Sequence, residues 1–218
     1  PTGLQMIFET GIFSAAIWIS GVLGENQLSA NQIALNLASM TFMVANGLGI
    51  TAMIRVGNQL GAKNYVNLRR VAFSVFLLVL CTQVFFAGLL ALLRDWLPSL
   101  YLEMDNIEKA ATNEAVISEA ANLLLIAAIF QISDGLQVTA LGALRGVQDA
   151  KIPMVITFIA YWLIAFPILY FLGLHTSLGT MGIWIGLLTG LTAAAICLLY
   201  RFNHISLRLI ANRHKLAN

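Results

Sequence analysis

Of the 218 residues, 59% are hydrophobic and only 10% charged, with a mean hydropathy of +0.84, whereas soluble domains carry about 25% charged residues. A water-soluble globular domain is thereby excluded, and a length that accommodates about six membrane spans leaves no room for a separate soluble catalytic domain. The net charge is only +2 and the basic residues sit between apolar runs, so nucleic acid is not an expected partner despite a pI near 8.8.

In chain order, apolar segments of spanning length run over about residues 3–23, 31–54, 71–93, 118–143, 153–173 and 181–200. Val71 to Leu93 and Ile152 to Leu174 are apolar all round, which suits helices and not the alternating strands of an outer-membrane barrel. The expected fold class is an all-α membrane protein, a six-helix transmembrane bundle. Loops are expected at Gly24-Glu25-Asn26, Gly61-Ala62-Lys63-Asn64, the acidic stretch Arg94 to Glu119, Gly146 to Lys151 and His175 to Gly179. Pro167 should kink the fifth helix. Gly182, Gly186, Gly190 and Ala194 should allow close backbone approach along the sixth. Residues 201–218 form a basic tail whose Arg201, Arg208 and Arg213 alternate with Ile205, Leu209 and Ile210, as in a segment lying on the inner membrane surface. The opening Pro1-Thr2-Gly3-Leu4 lacks an initiator Met and a signal-peptide pattern, which suggests a fragment of a longer chain.

Orientation follows from Lys and Arg. Ten of the 12 fall on one side: Arg55, Lys63, Arg69, Arg70, Arg145, Lys151, Arg201, Arg208, Arg213 and Lys215. Arg94 and Lys109 fall on the other, with Glu25, Asp95, Glu103, Asp105, Glu108, Glu114 and Glu119. Both ends are therefore expected in the cytoplasm, with the first helix running outward.

Two acids remain inside the spans, Glu9 in the first and Asp134 in the fourth. A carboxylate at membrane depth costs several kcal/mol unless paired, hydrated or protonated, so each is a functional candidate. Glu9 lies about 15 residues from Gly24 and Asp134 about 15 from Glu119, which puts both ~22 Å from the outer end at 1.5 Å per residue. Gln5 shares a helical stripe with Glu9, and Gln131 and Gln137 flank Asp134 three residues either way. Such carboxylates and amide oxygens suit Na+, a proton or an organic cation. Gln32, Asn36, Ser39 and Asn46 make a further polar stripe on the second helix. For Gln32, Asn36 and Ser39, hydrogen-bonded helix glue stands level with a role in a transport pathway. Glue does not require the ionisable groups of Glu9 and Asp134.

Cys81 and Cys197 have no partner Cys or His nearby, and His175, His204 and His214 have no ligand spacing, so neither a disulfide framework nor a zinc site is expected. There is no His-Glu-x-x-His or Gly-x-Ser-x-Gly pattern, and Asp134 stands in Ser-Asp-Gly-Leu, unlike the Gly-x-Gly-Asp setting of intramembrane aspartyl proteases. An enzyme is not expected. A passive channel is disfavoured by the absence of a selectivity-filter repeat or charged ring.

The run Gln32-Ile33-Ala34-Leu35-Asn36, then Arg55-Val56-Gly57 with Leu60-Gly61-Ala62, then Ala143-Leu144-Arg145-Gly146 with Pro153, resembles the C-terminal half of multidrug and toxic compound extrusion (MATE) transporters. Glu9 in Phe8-Glu9-Thr10-Gly11 and Asp134 in Ser133-Asp134-Gly135-Leu136-Gln137 are similar to the acidic positions of the NorM-like branch, where they bind the coupling cation. The resemblance implies twelve helices in two lobes, of which residues 1–200 would be the second, with the N-terminal lobe absent. It implies efflux of drugs or toxic organic cations by antiport with Na+ or H+ in the inner membrane, with no cofactor besides the coupling ion. Flipping of lipid or glycolipid is the alternative within similar folds. Phe130 departs from the family, since many NorM-like relatives have Tyr one turn before the aspartate.

Overall fold

The computed structural model describes residues 2–102 and 110–217, with side chains described for 2–102 and 111–212. Glu103, Asp105, Glu108, Lys109, Arg213, His214 and Lys215 lie outside the residues whose side chains are described. The elements are α1 (Thr2–Leu23), α2 (Glu25–Gly61), α3 (Tyr65–Leu92), a 3-10 turn (Leu97–Tyr101), α4 (Ala110–Gly146), α5 (Lys151–Phe158), a π-helical segment (Ile159–Ala165), α6 (Phe166–Leu174) and α7 (Thr180–Ala217). Six helical stretches are long and apolar enough to cross a membrane, with α5, the π segment and α6 together forming the fifth. The chain is an all-α, multi-pass membrane protein.

Three helices outrun the apolar segments that mark them. α2 and α4 have 37 residues each and α7 has 38, so each is about 55 Å long against a hydrocarbon core of roughly 30 Å. Hydropathy marks the part of a helix inside lipid, whereas helical hydrogen bonding continues wherever nothing interrupts it. The expected loop Gly24-Glu25-Asn26 contracts to Gly24 alone for the same reason. With φ at 145° Gly24 reverses the chain in one residue, and Glu25 starts α2, where a negative charge suits the helix N-terminus. The expected acidic loop likewise ends early, since Glu114 and Glu119 already belong to α4.

The surface-lying tail expected over residues 201–218 is not separate, because α7 continues through position 200 without a break. Its extension is anchored. Phe202 and Ser206 are buried, Phe202 meets Phe76 edge-on at 5.5 Å, and Ser206 Oγ accepts from Arg69 Nη1 at 3.0 Å. Arg201 Nε donates to Asp149 Oδ2 at 2.9 Å, tying the α4–α5 connection to α7.

Small residues set how closely the helices cross. Ala30, Ala34, Ala38, Ala45, Gly49 and Ala52 make the buried face of α2. A Cβ on Gly49 would lie 3.0 Å from the Val138 carbonyl oxygen, and one on Gly142 would run into the backbone of Gly49. α2 and α4 therefore meet backbone to backbone. The α7 glycines do the same against the fifth span, since Cβ atoms on Gly182 and Gly186 would fall 2.6 Å from the Leu172 carbonyl and 2.5 Å from the Leu169 nitrogen.

Pro167 lies at the start of α6, directly after the π-helical segment. Its ring excludes the carbonyl of residue 163 from normal helical bonding, and the widened turns of a π helix take up that misfit. The expected kink is thus a change of helix type around residue 162.

Candidate functional site

A cavity of about 530 Å³ opens between α1, α2 and α4. α1 contributes Met6, Glu9, Thr10 and Phe13, which recur at three and four residues and so share one face. α4 contributes Phe130, Asp134, Val138, Leu141 and Arg145, again one stripe. α2 closes the third side with Leu35, Ala38, Ser39, Phe42 and Asn46. The cavity is mainly apolar, with its polarity confined to a few groups, the usual character of a small-molecule site.

Glu9 and Asp134, from different helices, face the same space. Asp134 is 5% exposed, while Glu9 is half-buried. The surrounding candidate residues divide. Ser39 and Asn46 line the cavity. Asn36 instead accepts from the Tyr101 hydroxyl at 2.8 Å, and Gln32 is exposed outside the cavity lining. Gln5 is buried one turn below Glu9, its Oε1 accepting from Arg145 Nη2 at 3.4 Å.

Gln131 and Gln137 do not join Asp134 in the lining, contrary to the shared stripe expected of them. Gln131 faces α3, where its backbone carbonyl accepts from Gln83 Nε2 at 2.9 Å and its own Nε2 donates to the Gln83 carbonyl at 3.4 Å. Gln137 is fully buried in the helix packing. Three residues along a helix amount to 60° of rotation from the starting direction, enough to turn both amides off the cavity face.

Arg145 counts among the basic residues that set topology, but it lies in the last turn of α4 facing the cavity. Positions 134, 138, 141 and 145 follow helical spacing, so a signal exists in the sequence and is masked by proximity to a loop. Tyr161, in the π segment, is buried with no partner for its hydroxyl among the described residues, within electrostatic reach of both Glu9 and Asp134. Asn31 is a further residue that sequence reasoning does not single out. Its Oδ1 accepts from Trp184 Nε1 at 2.9 Å, fixing an indole that packs edge-on against Phe130 at 5.3 Å. Phe130 in turn meets Phe13 at 6.1 Å, so the aromatic wall is held from behind by an α2–α7 hydrogen bond.

Among the described residues no three His, Cys, Asp or Glu side chains gather as a metal-binding group. A monovalent hard cation would instead meet the two carboxylates, with the Thr10 hydroxyl and Asn46 amide in the same lining.

The MatE family model matches residues 1–171. The chain belongs to the MatE family. It is 40% identical to the multidrug resistance protein NorM of Burkholderia vietnamiensis over 211 residues, covering 97% of this chain and 45% of that protein. It is 38% identical to the multidrug resistance protein PmpM of Pseudomonas aeruginosa, over 99% of this chain and 44% of the relative. A probable multidrug resistance protein NorM of Xylella fastidiosa is 36% identical over 97% of the chain and 43% of its own length. The MatE chain thus spans a little under half the length of the curated relatives it matches. Its fold is that of half a MATE transporter. The eukaryotic MATE transporter AtDTX14 superposes with a TM-score of 0.81 at 20% identity, over 96% of this chain and 46% of that one. A MATE structure in the straight conformation superposes at 0.85 with 14% identity, over 97% and 45%. These relatives are named as transporters or resistance proteins, not as enzymes.

Proposed function

We propose that this MatE chain is one lobe of a multidrug efflux antiporter, in which Glu9 and Asp134 take up Na+ or H+ and that uptake changes which side of the membrane the drug pathway faces. One observation carries the reading: two carboxylates from different helices share a mainly apolar cavity of about 530 Å³, where they outnumber the single lining cation, Arg145. Acids in such a place need a compensating positive charge, and Phe13 and Phe42 in the same lining suit an aromatic organic cation. Coupling requires the ion and the drug to favour different conformations. Competition for the same carboxylates supplies that difference. The second lobe would form the opposite wall of the pathway. The MATE resemblance implies the inner membrane, and by the distribution of Lys and Arg both chain ends would lie in the cytoplasm.

The test uses the two-lobed transporter in liposomes, with Na+ and H+ gradients imposed separately. Drug movement driven by either gradient, lost in Glu9→Gln and in Asp134→Asn, supports the reading. Wild-type rates in both variants overturn it, and gradient-independent movement of fluorescent lipid in place of drug would favour a flippase. Orientation is tested by cysteines at Lys63 and Glu25 in a background lacking Cys81 and Cys197. The first should react from the cytoplasm and the second from outside, and labelling of both from one side would refute the topology.

A further inference from the structure

The cavity lining contains three ionisable side chains: the carboxylates of Glu9 and Asp134 and the guanidinium of Arg145. Arg145 does not point out to a loop. Its Nη2 donates to Gln5 Oε1 at 3.4 Å, and Gln5 stands one turn from Glu9 on α1. Glu9 and Arg145 are within electrostatic reach of each other, and so are Glu9 and Asp134. No salt bridge forms between Arg145 and either acid among the described residues. The Nε of Arg145 is buried without a hydrogen-bond partner among the described residues. The guanidinium is therefore bonded to a neutral amide, with neither acid within ion-pair distance, while lining the same cavity as both.

Resting on the coupling role proposed for Glu9 and Asp134, we propose that Arg145 is a built-in cation that sets the charge capacity of the cavity. Two carboxylates and one guanidinium leave a single negative charge to be balanced. The cavity then takes one monovalent cation at a time, so the coupling ion and a monocationic drug exclude each other one for one, and dications are disfavoured. Without Arg145 the two carboxylates would hold two monovalent cations or one dication. Its place on the α4 stripe that carries Asp134, three turns on, keeps this compensation in register with the acid. Gln5 fixes the Arg145 head group from α1, so a relative shift of α1 and α4 would alter both the hydrogen bond and the field at Glu9.

The experiment measures equilibrium binding to the purified two-lobed transporter of two probes that share a biaryl scaffold and differ by one charge: N-methyl-4-phenylpyridinium and N,N′-dimethyl-4,4′-bipyridinium. The wild type should bind the monocation more tightly, by about tenfold, because the dication's second charge would be desolvated without a partner, and Arg145→Gln should reverse that order. Arg145→Lys, which keeps the charge and loses the planar fork, should keep the monocation preference even if both affinities fall. Glu9→Gln leaves the cavity neutral and should lose monocation binding; adding Arg145→Gln restores one negative charge and should recover it. Recovery in the double variant supports the proposal, because a merely structural role for Arg145 predicts a further loss. Failure to recover, with the double variant folded, overturns it. Equal or tighter binding of the dication by the wild type overturns it with no substitution needed. Full binding by Glu9→Gln alone also overturns it, whereas the coupling role on which it rests fails separately, if Glu9→Gln keeps gradient-driven efflux.

Discussion

Gln83 and Gln131, between α3 and α4, and Glu9 and Asp134, around the cavity, are all polar groups at membrane depth, yet they are accommodated in different ways. The glutamines exchange side-chain to backbone hydrogen bonds across a closed helix contact. The acids face an open volume of about 530 Å³ together with Arg145. A neutral amide can be satisfied by one neighbour, so it can serve as packing without involving the rest of the molecule. A carboxylate requires charge compensation, and where that compensation is exchangeable it can drive a change of state. The difference between the two regions is thus between amides whose Nε2 donors bond across a helix contact, with both Oε1 atoms left unpaired among the described residues, and carboxylates that face a volume a ligand can enter.

The largest effect should come from the closed region. Gly142→Val would drive a side chain into the Gly49 backbone, costing about 3 kcal/mol or more by overpacking, and should abolish the folded protein as judged by size-exclusion elution and thermal melting in detergent. A stable, monodisperse variant would show that α2 and α4 do not need their close crossing.

Next come the acids. Glu9→Gln and Asp134→Asn preserve shape and should leave melting unchanged within about 0.5 kcal/mol, while gradient-driven efflux falls by about a hundredfold. If the carboxylates act as one unit, the double variant should be barely worse than either single, measured as transport rate in liposomes. Additive losses would separate their roles.

Asn31→Ala tests the backing of the aromatic wall. Loss of the Trp184 hydrogen bond should cost about 1 kcal/mol in stability and weaken binding of aromatic cations more than of aliphatic ones. An unchanged ratio would mean that Phe130 is held without it. The smallest effect is expected at Gln32, which is exposed and outside the cavity lining. Gln32→Ala should change stability by less than about 0.5 kcal/mol and leave transport at wild-type rates, and a large transport defect would place the substrate pathway on that face of α2.

The six spans, the helical class and the choice of Glu9 and Asp134 as the acids inside the spans are legible in the amino-acid sequence, because apolar length and residue counts along a helix are local quantities. Arg145, Asn31 and Gln83 are not legible there as parts of the site or its support. Arg145 has the helical spacing of Asp134, but its position next to Gly146 reads equally well as the start of a loop. Gln131 and Gln137 fall on a different side from the one expected because periodicity specifies an angle between residues, not the direction the helix as a whole faces.

Composition and spacing along the chain therefore establish how much of it can enter a membrane and which few groups are costly there, since burial in lipid depends on each segment's own residues. How each helix is rotated about its axis comes from packing alone. That rotation is set where α2 and α4 meet at Gly49 and Gly142 and where α7 lies against the fifth span, and it is these contacts between distant parts of the chain that turn Glu9, Asp134 and Arg145 into one cavity and Gln83 and Gln131 into another contact altogether.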